Sequence, residues 1–182
     1  MYEVELKVRA NHDAVRERLT DLDAERRGAT EQTDLYFDAP DRDFAATDEA
    51  LRIRRERPES GSPTAHLTYK GPLVDPDSKT REERETVLTD ADEMHAILDA
   101  LGYEAAATVK KHRERFTVRG LTVALDDVAD LGAFLEVEST AEDDIDAARD
   151  RARTLLSDLG LNAENQIRRS YLELLVEQDD SK

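Results

Sequence analysis

The stretch Tyr2–Arg9 reads YEVELKVR, and it decides the fold class. Apolar residues alternate with charged ones along it, which is the period-2 pattern of a β-strand whose two faces meet different surroundings. One face is aliphatic, and the other carries Glu3, Glu5 and Lys7. The chain is therefore expected to build a sheet with one apolar and one densely charged face.

The same alternation returns in Leu51–Arg54 and Leu135–Glu138, and charged residues again share one strand face in Arg81–Glu85 and Lys111–Arg113. The predicted strands are Tyr2–Arg9, Thr33–Asp38, Ala50–Arg57, Thr64–Gly71, Arg81–Leu88, Thr108–Arg119, Leu121–Asp127 and Ala133–Thr140. The predicted helices are His12–Arg26, a helix capped by Asp90 that ends at Leu101, Glu142–Leu159 and Asn165–Val176. The order strand-helix-strand-strand-strand thus occurs twice. Residues 1–182 are expected to form one α+β domain with eight mainly antiparallel strands.

The composition excludes several classes of protein and site. The 182 residues contain 43 acidic and 26 basic side chains, a formal net charge of −17, and no cysteine. Disulfide scaffolds, thiolate metal sites and cysteine nucleophiles are thereby excluded. So strong a negative field disfavours binding to nucleic acid or to an anionic membrane. The beginning is not a signal peptide and no apolar run is long enough for a membrane span, so a cytoplasmic protein is expected.

The kind of charge is also informative. Six lysines stand against twenty arginines, and aspartate and alanine are abundant. This bias favours a halophilic cytoplasm at molar salt, where surface self-repulsion is screened. A GC-rich genome, which also favours arginine over lysine, is the alternative explanation.

Charged residues at alternating strand positions form a group with its own balance. The basic members are Lys7, Arg52, Arg54, Lys70, Arg81, Lys111 and Arg113, and the acidic members are Glu3, Glu5, Glu83, Glu85, Asp126, Glu136 and Glu138. Seven charges of each sign make this group neutral, while the rest of the chain carries the whole −17. A closed barrel with this face inward explains the difference, provided that the interior is wet, internally paired or filled by a charged ligand.

The group suits one class of ligand. Clustered arginine and lysine match phosphate oxygens in geometry and charge. Alternating carboxylates are hard oxygen ligands for Mg²⁺ or Mn²⁺. No GxxxxGK[ST] motif is present, so side chains must hold the phosphates. The sequence predicts a site for a polyphosphate chain together with a divalent metal.

A signature and eight further short motifs, in order along nearly the whole chain, resemble the CYTH superfamily, the triphosphate tunnel metalloenzymes. Glu3-Val-Glu5-Leu-Lys7 is similar to the ExExK signature. The eight others are Asp34-Leu-Tyr36-Phe-Asp38, Leu51–Arg54, Tyr69–Gly71, Arg81–Glu85, Val109–Arg113, Leu125-Asp126, Phe134–Glu138 and Ser170–Leu175. Within the superfamily the chain is most similar to the class IV adenylyl cyclase-like branch.

The resemblance implies an eight-stranded triphosphate tunnel with helices packed outside, and it implies residue roles. Glu3, Glu5, Glu136 and Glu138 would hold Mg²⁺ or Mn²⁺, with Asp126 as a further ligand. Lys7, Arg52, Arg54, Lys70, Lys111 and Arg113 would bind the triphosphate. Lys7 and Tyr36 are the candidate catalytic residues, Tyr36 being alternatively a core residue. Arg81, Glu83 and Glu85 either line the tunnel wall or pair with one another.

Four functions stay open at this point. A class IV adenylyl cyclase would convert ATP to cyclic AMP and pyrophosphate. A triphosphatase would hydrolyse tripolyphosphate, thiamine triphosphate or a nucleotide. A sensor would bind such a molecule without turnover, and a plain barrel would bind no ligand. The expected partner is a triphosphate-containing small molecule, with no nucleic acid or membrane, and the protein is expected to be a monomer or homodimer.

Overall fold

A closed barrel forms the centre of the molecule, seen in a computed structural model that describes residues 2–75, 77–141 and 144–180. Within these residues the strands are β1 Tyr2–Arg9, β2 Glu25–Asp38, β3 Ala50–Pro58, β4 Thr64–Lys70, β5 Lys79–Leu88, β6 Glu104–Val118, β7 Leu121–Val128 and β8 Gly132–Ala141. The helices are α1 His12–Asp21, α2 Phe44–Thr47, α3 Ala91–Ala100, α4 Ile145–Asp158 and α5 Tyr171–Asp180, with a short 3₁₀ turn over Ala163–Asn165. The predicted α+β barrel is confirmed.

Every neighbouring strand pair is antiparallel, in the order β1-β5-β4-β3-β2-β6-β7-β8, and β8 closes on β1. The ring therefore divides into two equivalent arcs, β2-β3-β4 with β5 and β6-β7-β8 with β1. The first strand of each half of the chain pairs with the last strand of the other half, β1 with β8 and β5 with β4. This exchange leaves no free sheet edge.

The apolar faces of the strands point outward and are covered by helices. Leu6 and Val8 of β1 pack with Val15 and Leu19 of α1 and with the inner side of α4 in one large cluster. A second cluster packs the outer face of β2 and β3 against α3. Because the outer faces take up the apolar residues, the charged faces of the same strands line the interior.

The predicted end of the first helix and the predicted start of the second strand were wrong. The helix predicted to reach Arg26 ends at Asp21, since Asp23 adopts a left-handed backbone with φ of 53° and Glu25 already begins β2. Such a residue just after a helix redirects the chain. Polar residues hid the first half of β2, which was predicted to begin only at Thr33.

The predicted helix Asn165–Val176 is in fact a 3₁₀ turn, an extended crossing and α5. On the crossing, the Ile167 amide donates a hydrogen bond to the Lys7 carbonyl over 2.7 Å. Helix α5 then begins with a capping box, in which the Ser170 amide donates to Glu173 and the Glu173 amide donates to the Ser170 hydroxyl. The predicted beginning of the third helix, at 142–143, lies outside the described residues; α4 begins at Ile145 and ends near the predicted position.

Candidate active site

Strand β1, which carries Glu3, Glu5 and Lys7, is hydrogen-bonded to a second acidic strand, β8. In the β1–β8 register Glu5 lies opposite Glu138, and Lys7 lies opposite Glu136. The Lys7 ammonium is 3.4 Å from one carboxylate oxygen of Glu5 and 3.4 Å from one of Glu136. Burial alone would lower the pKa of Lys7, but these two carboxylates outweigh it and raise the pKa. Lys7 is therefore a buried, charged group inside the barrel.

On one wall an aspartate aligns two arginines. Asp34 of β2 accepts two hydrogen bonds of 2.6 Å from the Arg54 guanidinium and a third, of 3.2 Å, from Arg52. Burial by itself would raise the pKa of Asp34, yet Arg52 and Arg54 hold it well below its usual range. Arg52 also donates to the Tyr36 hydroxyl over 3.4 Å. The arginines are thereby held with little rotational freedom before any phosphate is bound.

The adjoining strands β6 and β7 repeat this arrangement, with the aspartate now on the later strand of the pair. Asp126 of β7 accepts hydrogen bonds of 2.6 Å and 2.5 Å from Arg113 and one of 3.2 Å from Lys111, both on β6. It also accepts a 2.9 Å bond from the Tyr171 hydroxyl of α5. Burial and the nearby Arg113 lower the pKa of Lys111 to about 8. Each half of the barrel thus supplies one aspartate that holds two cations.

The third cluster lies on β4 and β5. The Lys70 ammonium donates to Glu3 over 2.9 Å and is 2.8 Å from a carboxylate oxygen of Glu83. Glu85 accepts a 2.9 Å hydrogen bond from the Thr68 hydroxyl. Arg81 donates a 2.5 Å bond to the carbonyl of Asp48. Arg81, Glu83 and Glu85 therefore contact other strands and loops rather than one another.

One end of the tunnel widens into a cavity of about 490 Å³. Among the described residues, its cationic lining is Lys7, Arg52, Lys70, Lys79, Arg81 and Lys111. The lining also includes the apolar side chains of Phe44, Ala45, Ala50, Ala106, Ala107, Leu172 and Val176, and the carboxylates of Glu5, Asp38, Asp48, Glu49, Glu136, Glu173 and Glu177. The buried part of the cavity is therefore rich in cations, while its exposed part combines apolar and acidic side chains.

The comparisons with known proteins agree with this geometry. The model of the CYTH domain matches residues 1–171. The chain belongs to the CYTH family. The protein named "Putative adenylate cyclase MJ0240" from Methanocaldococcus jannaschii is 39% identical over 177 residues, which is 96% of this chain and 98% of that protein. The protein named "Adenylate cyclase CyaB" from Aeromonas hydrophila is 30% identical over 146 residues, 79% of this chain and 72% of that one.

Solved structures show the same CYTH fold. The PH1819 protein of Pyrococcus horikoshii OT3 is 42% identical, with a TM-score of 0.89, and the match covers 97% of this chain and 99% of that one. CYTH domain proteins are typically enzymes that act on triphosphates, and the CYTH tunnel binds those substrates. Among the described residues, no helix is long and apolar enough to cross a bilayer.

The CYTH tunnel brings the sequence-predicted site residues together on its inner face, while their roles stay predictions. Three residues were missed: Asp34, Lys79 and Tyr171 line the same interior. The sequence could have predicted Asp34 and Lys79, because the strand period of 2 puts Asp34 on the same face as Tyr36 and Lys79 on the same face as Arg81. It could not have predicted Tyr171, because the crossing before α5 determines where that residue lies.

The carboxylates of the CYTH tunnel fit a divalent metal by one specific observation. Glu5 and Glu138 are cross-strand neighbours of the same charge, and Oε1 of Glu5 is buried with the 3.4 Å ion pair to Lys7 but no hydrogen-bond donor among the described residues. Burial, with Glu3, Glu136 and Glu5 nearby, raises the pKa of Glu138 despite Arg113. A hard divalent cation relieves such repulsion.

Basic side chains hold most of the other predicted metal ligands. Arg113 pairs with Glu136 and Glu138, and Lys70 pairs with Glu3. Within residues 2–75, 77–141 and 144–180, no three carboxylate or imidazole groups converge as a metal cluster. Asp126 has both oxygens engaged by Arg113, Lys111 and Tyr171, so its role as a metal ligand stays a prediction.

Proposed function

We propose that this CYTH domain is a divalent-metal-dependent enzyme that converts ATP to cyclic AMP and pyrophosphate, in the manner of class IV adenylyl cyclases. The cavity carries this proposal, because its buried cations continue into a rim that includes apolar side chains, within about 490 Å³. A nucleoside triphosphate has matching parts, a polyanionic chain and a flat organic base. Inorganic tripolyphosphate would leave the rim without a contact.

The cationic residues are assigned to the triphosphate. Lys7, Arg52, Arg54, Lys70, Lys111 and Arg113 would bind its oxygens. The planar guanidinium groups suit pairs of phosphate oxygens, while the lysines act as point charges. Asp34 and Asp126 hold four of these six groups in place, which lowers the entropy lost when the phosphates bind.

The carboxylates are assigned to the metal. Glu5 and Glu138 would hold Mg²⁺ or Mn²⁺ together with Glu3 and Glu136, and Asp126 is the further candidate. A bound divalent ion polarises the phosphoryl group and neutralises charge on the leaving oxygens. Arg113 pairs with Glu136 and Glu138, so phosphate binding to Arg113 would free these carboxylates.

In the cyclase reaction the ribose 3′-hydroxyl attacks the α-phosphorus and pyrophosphate leaves. Arg52, Arg54 and Lys7 would stabilise the charge that develops on the phosphoryl oxygens. The raised pKa of Lys7 favours this electrostatic role over that of a general base. Tyr36, whose hydroxyl contacts Arg52 at the edge of the cavity, would orient that arginine or the ribose.

Hydrolysis of the terminal phosphate is the second candidate, supported by solvent access beyond the cavity. The side chains of Glu3, Glu83 and Glu138 are 20–26% exposed, although Lys7 and Arg113 beside them are nearly fully buried. Water can therefore reach the far end of the tunnel. A triphosphatase needs that access, whereas cyclisation does not.

Product analysis separates the two reactions. The protein is incubated at molar KCl with Mg²⁺ or Mn²⁺ and either ATP or tripolyphosphate, and products are resolved by anion exchange. Cyclic AMP and pyrophosphate are expected from ATP. Orthophosphate with ADP, or with pyrophosphate from tripolyphosphate, would replace the cyclase by a triphosphatase. Binding without turnover of either compound would make the protein a sensor.

A further inference from the structure

Lys79 is a buried cation that neither the predicted site nor the proposed function uses. It is the first residue of β5 and lies opposite Glu5 in the β1–β5 register. Its side chain is 5% exposed and lines the cavity beside the other cations. Lys79 is therefore placed where a phosphate at the Glu5 level would pass.

The neighbours of Lys79 leave its ammonium group without a hydrogen bond and with only long ion pairs. Its ammonium is 3.5 Å from a carboxylate oxygen of Asp48 and 3.6 Å from one of Glu173. Among the described residues it has no hydrogen-bond acceptor, in contrast to Lys70. Burial and the neighbouring Arg81 and Lys7 lower the pKa of Lys79, although Glu5 and Asp48 oppose them. A buried ammonium without hydrogen bonds is costly, so an incoming anion would be strongly favoured.

The two carboxylates beside Lys79 come from the segments that cover the mouth. Asp48 follows α2, has a left-handed backbone with φ of 55°, and is held by Arg81. Glu173 lies in the first turn of α5, where the capping box with Ser170 fixes its side chain. Both covering segments thus reach the tunnel wall through Lys79.

We propose that Lys79 is a further phosphate-binding residue of the tunnel mouth, and that Asp48 and Glu173 set the affinity by competing with phosphate for it. The inference rests on the proposed function, since it needs a triphosphate in the tunnel. It adds a cation to the binding set and gives α2 and α5 a direct electrostatic connection to the substrate.

Direct binding tests the inference without turnover. Titration calorimetry with inorganic tripolyphosphate in EDTA compares the wild type with Lys79→Met at one KCl concentration. Loss of a charge-assisted hydrogen bond should weaken binding about tenfold or more, and Lys79→Arg should recover most of it. Lys110→Met removes the same charge from an exposed position on β6 and should change little. Thermal unfolding checks that each variant is folded.

The competition has its own test. Glu173→Gln keeps the capping box, because glutamine also serves at that position, but removes the charge beside Lys79. We expect it to tighten tripolyphosphate binding about threefold, as a partly screened ion pair would allow. The gain should vanish in the Lys79→Met background. Asp38→Asn, which removes another carboxylate from the cavity lining, controls for the general field.

The outcomes distinguish the inference from the proposed function. If the wild type binds neither tripolyphosphate nor ATP, in EDTA or with Mg²⁺, the proposed function fails and the Lys79 assignment fails with it. If the wild type binds and Lys70→Met weakens binding while Lys79→Met does not, the Lys79 assignment alone is wrong. A gain from Glu173→Gln that persists without Lys79 would overturn the competition.

Discussion

Individual charges inside the tunnel differ in how well the fold satisfies them, and this decides what each substitution does. Asp34 accepts three hydrogen bonds from two arginines, whereas Glu138 faces Glu5 and has Arg113 as a shared partner. The fold stabilises the charged form of Asp34 and disfavours that of Glu138. A well-satisfied charge serves stability, and a poorly satisfied one is free to bind a ligand.

Asp34→Asn should lower the free energy of unfolding at neutral pH by about 3 kcal/mol, because it leaves two buried arginines without their carboxylate. The pKa of Asp34 is depressed, so its contribution is present above the usual value of 3.8 and is lost as the pH falls below it. The difference between wild type and variant should therefore shrink on acidification. Denaturant unfolding from pH 7 to pH 3 measures it, with Glu31→Gln on the same strand as the exposed control.

Glu136→Gln should destabilise the protein in EDTA, whereas Glu138→Gln should not. Burial would raise the pKa of Glu136, but Arg113, Lys7 and Lys111 lower it, so its neutralisation should cost about 2 kcal/mol. Neutralising Glu138 removes repulsion and should leave the melting temperature unchanged or higher.

The metal proposal requires that both of these variants lose Mg²⁺- or Mn²⁺-dependent turnover. Glu82→Gln, on the outer face of β5, should keep both stability and activity. Full activity in Glu138→Gln would remove Glu138 from the proposed metal site.

At the scale of elements, alternation predicted all eight strands, most clearly where an apolar face alternates with a charged one, as in β1, β3 and β8. The predicted boundaries were wrong where the contrast between the two faces is weak, as in the first half of β2. They were also wrong where a tertiary contact determines the start of an element, as before α5. The Ser170 and Glu173 capping box was visible in the sequence and marks the true start of α5. The hydrogen bond from Ile167 to Lys7 that places this helix was not visible.

Helix α5 is anchored to the tunnel through Tyr171, whose ring lies 4.2 Å from the Lys7 ammonium and 4.9 Å from that of Lys111. Tyr171→Phe keeps the ring but removes the hydroxyl, which donates to Asp126 and lies beside Glu136, and should cost about 1 kcal/mol. Tyr171→Leu also removes the cation–π contacts and should cost about 1 kcal/mol more. Amide hydrogen exchange along α5 should quicken in the same order. Equal exchange in all three proteins would show that α5 is anchored elsewhere.

For the whole molecule, the closed barrel separates two electrostatic regimes. The interior group is neutral and paired, while the exterior carries the −17 charge. Salt screens exposed charges over about 10 Å at 0.1 M and about 3 Å at 1 M, but it hardly reaches buried pairs. Stability should therefore depend on salt through the outer surface alone.

The melting temperature should rise as KCl increases from 0.1 to 2 M, since self-repulsion of the surface is relieved. Calorimetric scans along this series measure the effect. The cost of Asp34→Asn should stay nearly constant along it, because that cluster is buried. A melting temperature that does not change with KCl would contradict the predicted adaptation to salt.

The sequence by itself determined the repeated strand order, the charged inner face and the family, because alternation and motif order are local properties of the chain. Only the tertiary structure decided which charges meet. Closure of the barrel puts Asp34 against two arginines, Asp126 against Arg113, Lys111 and Tyr171, and Lys79 between Asp48 and Glu173. Such pairings depend on register and on the path of α5, since a charge is satisfied or left available by neighbours that are distant in sequence.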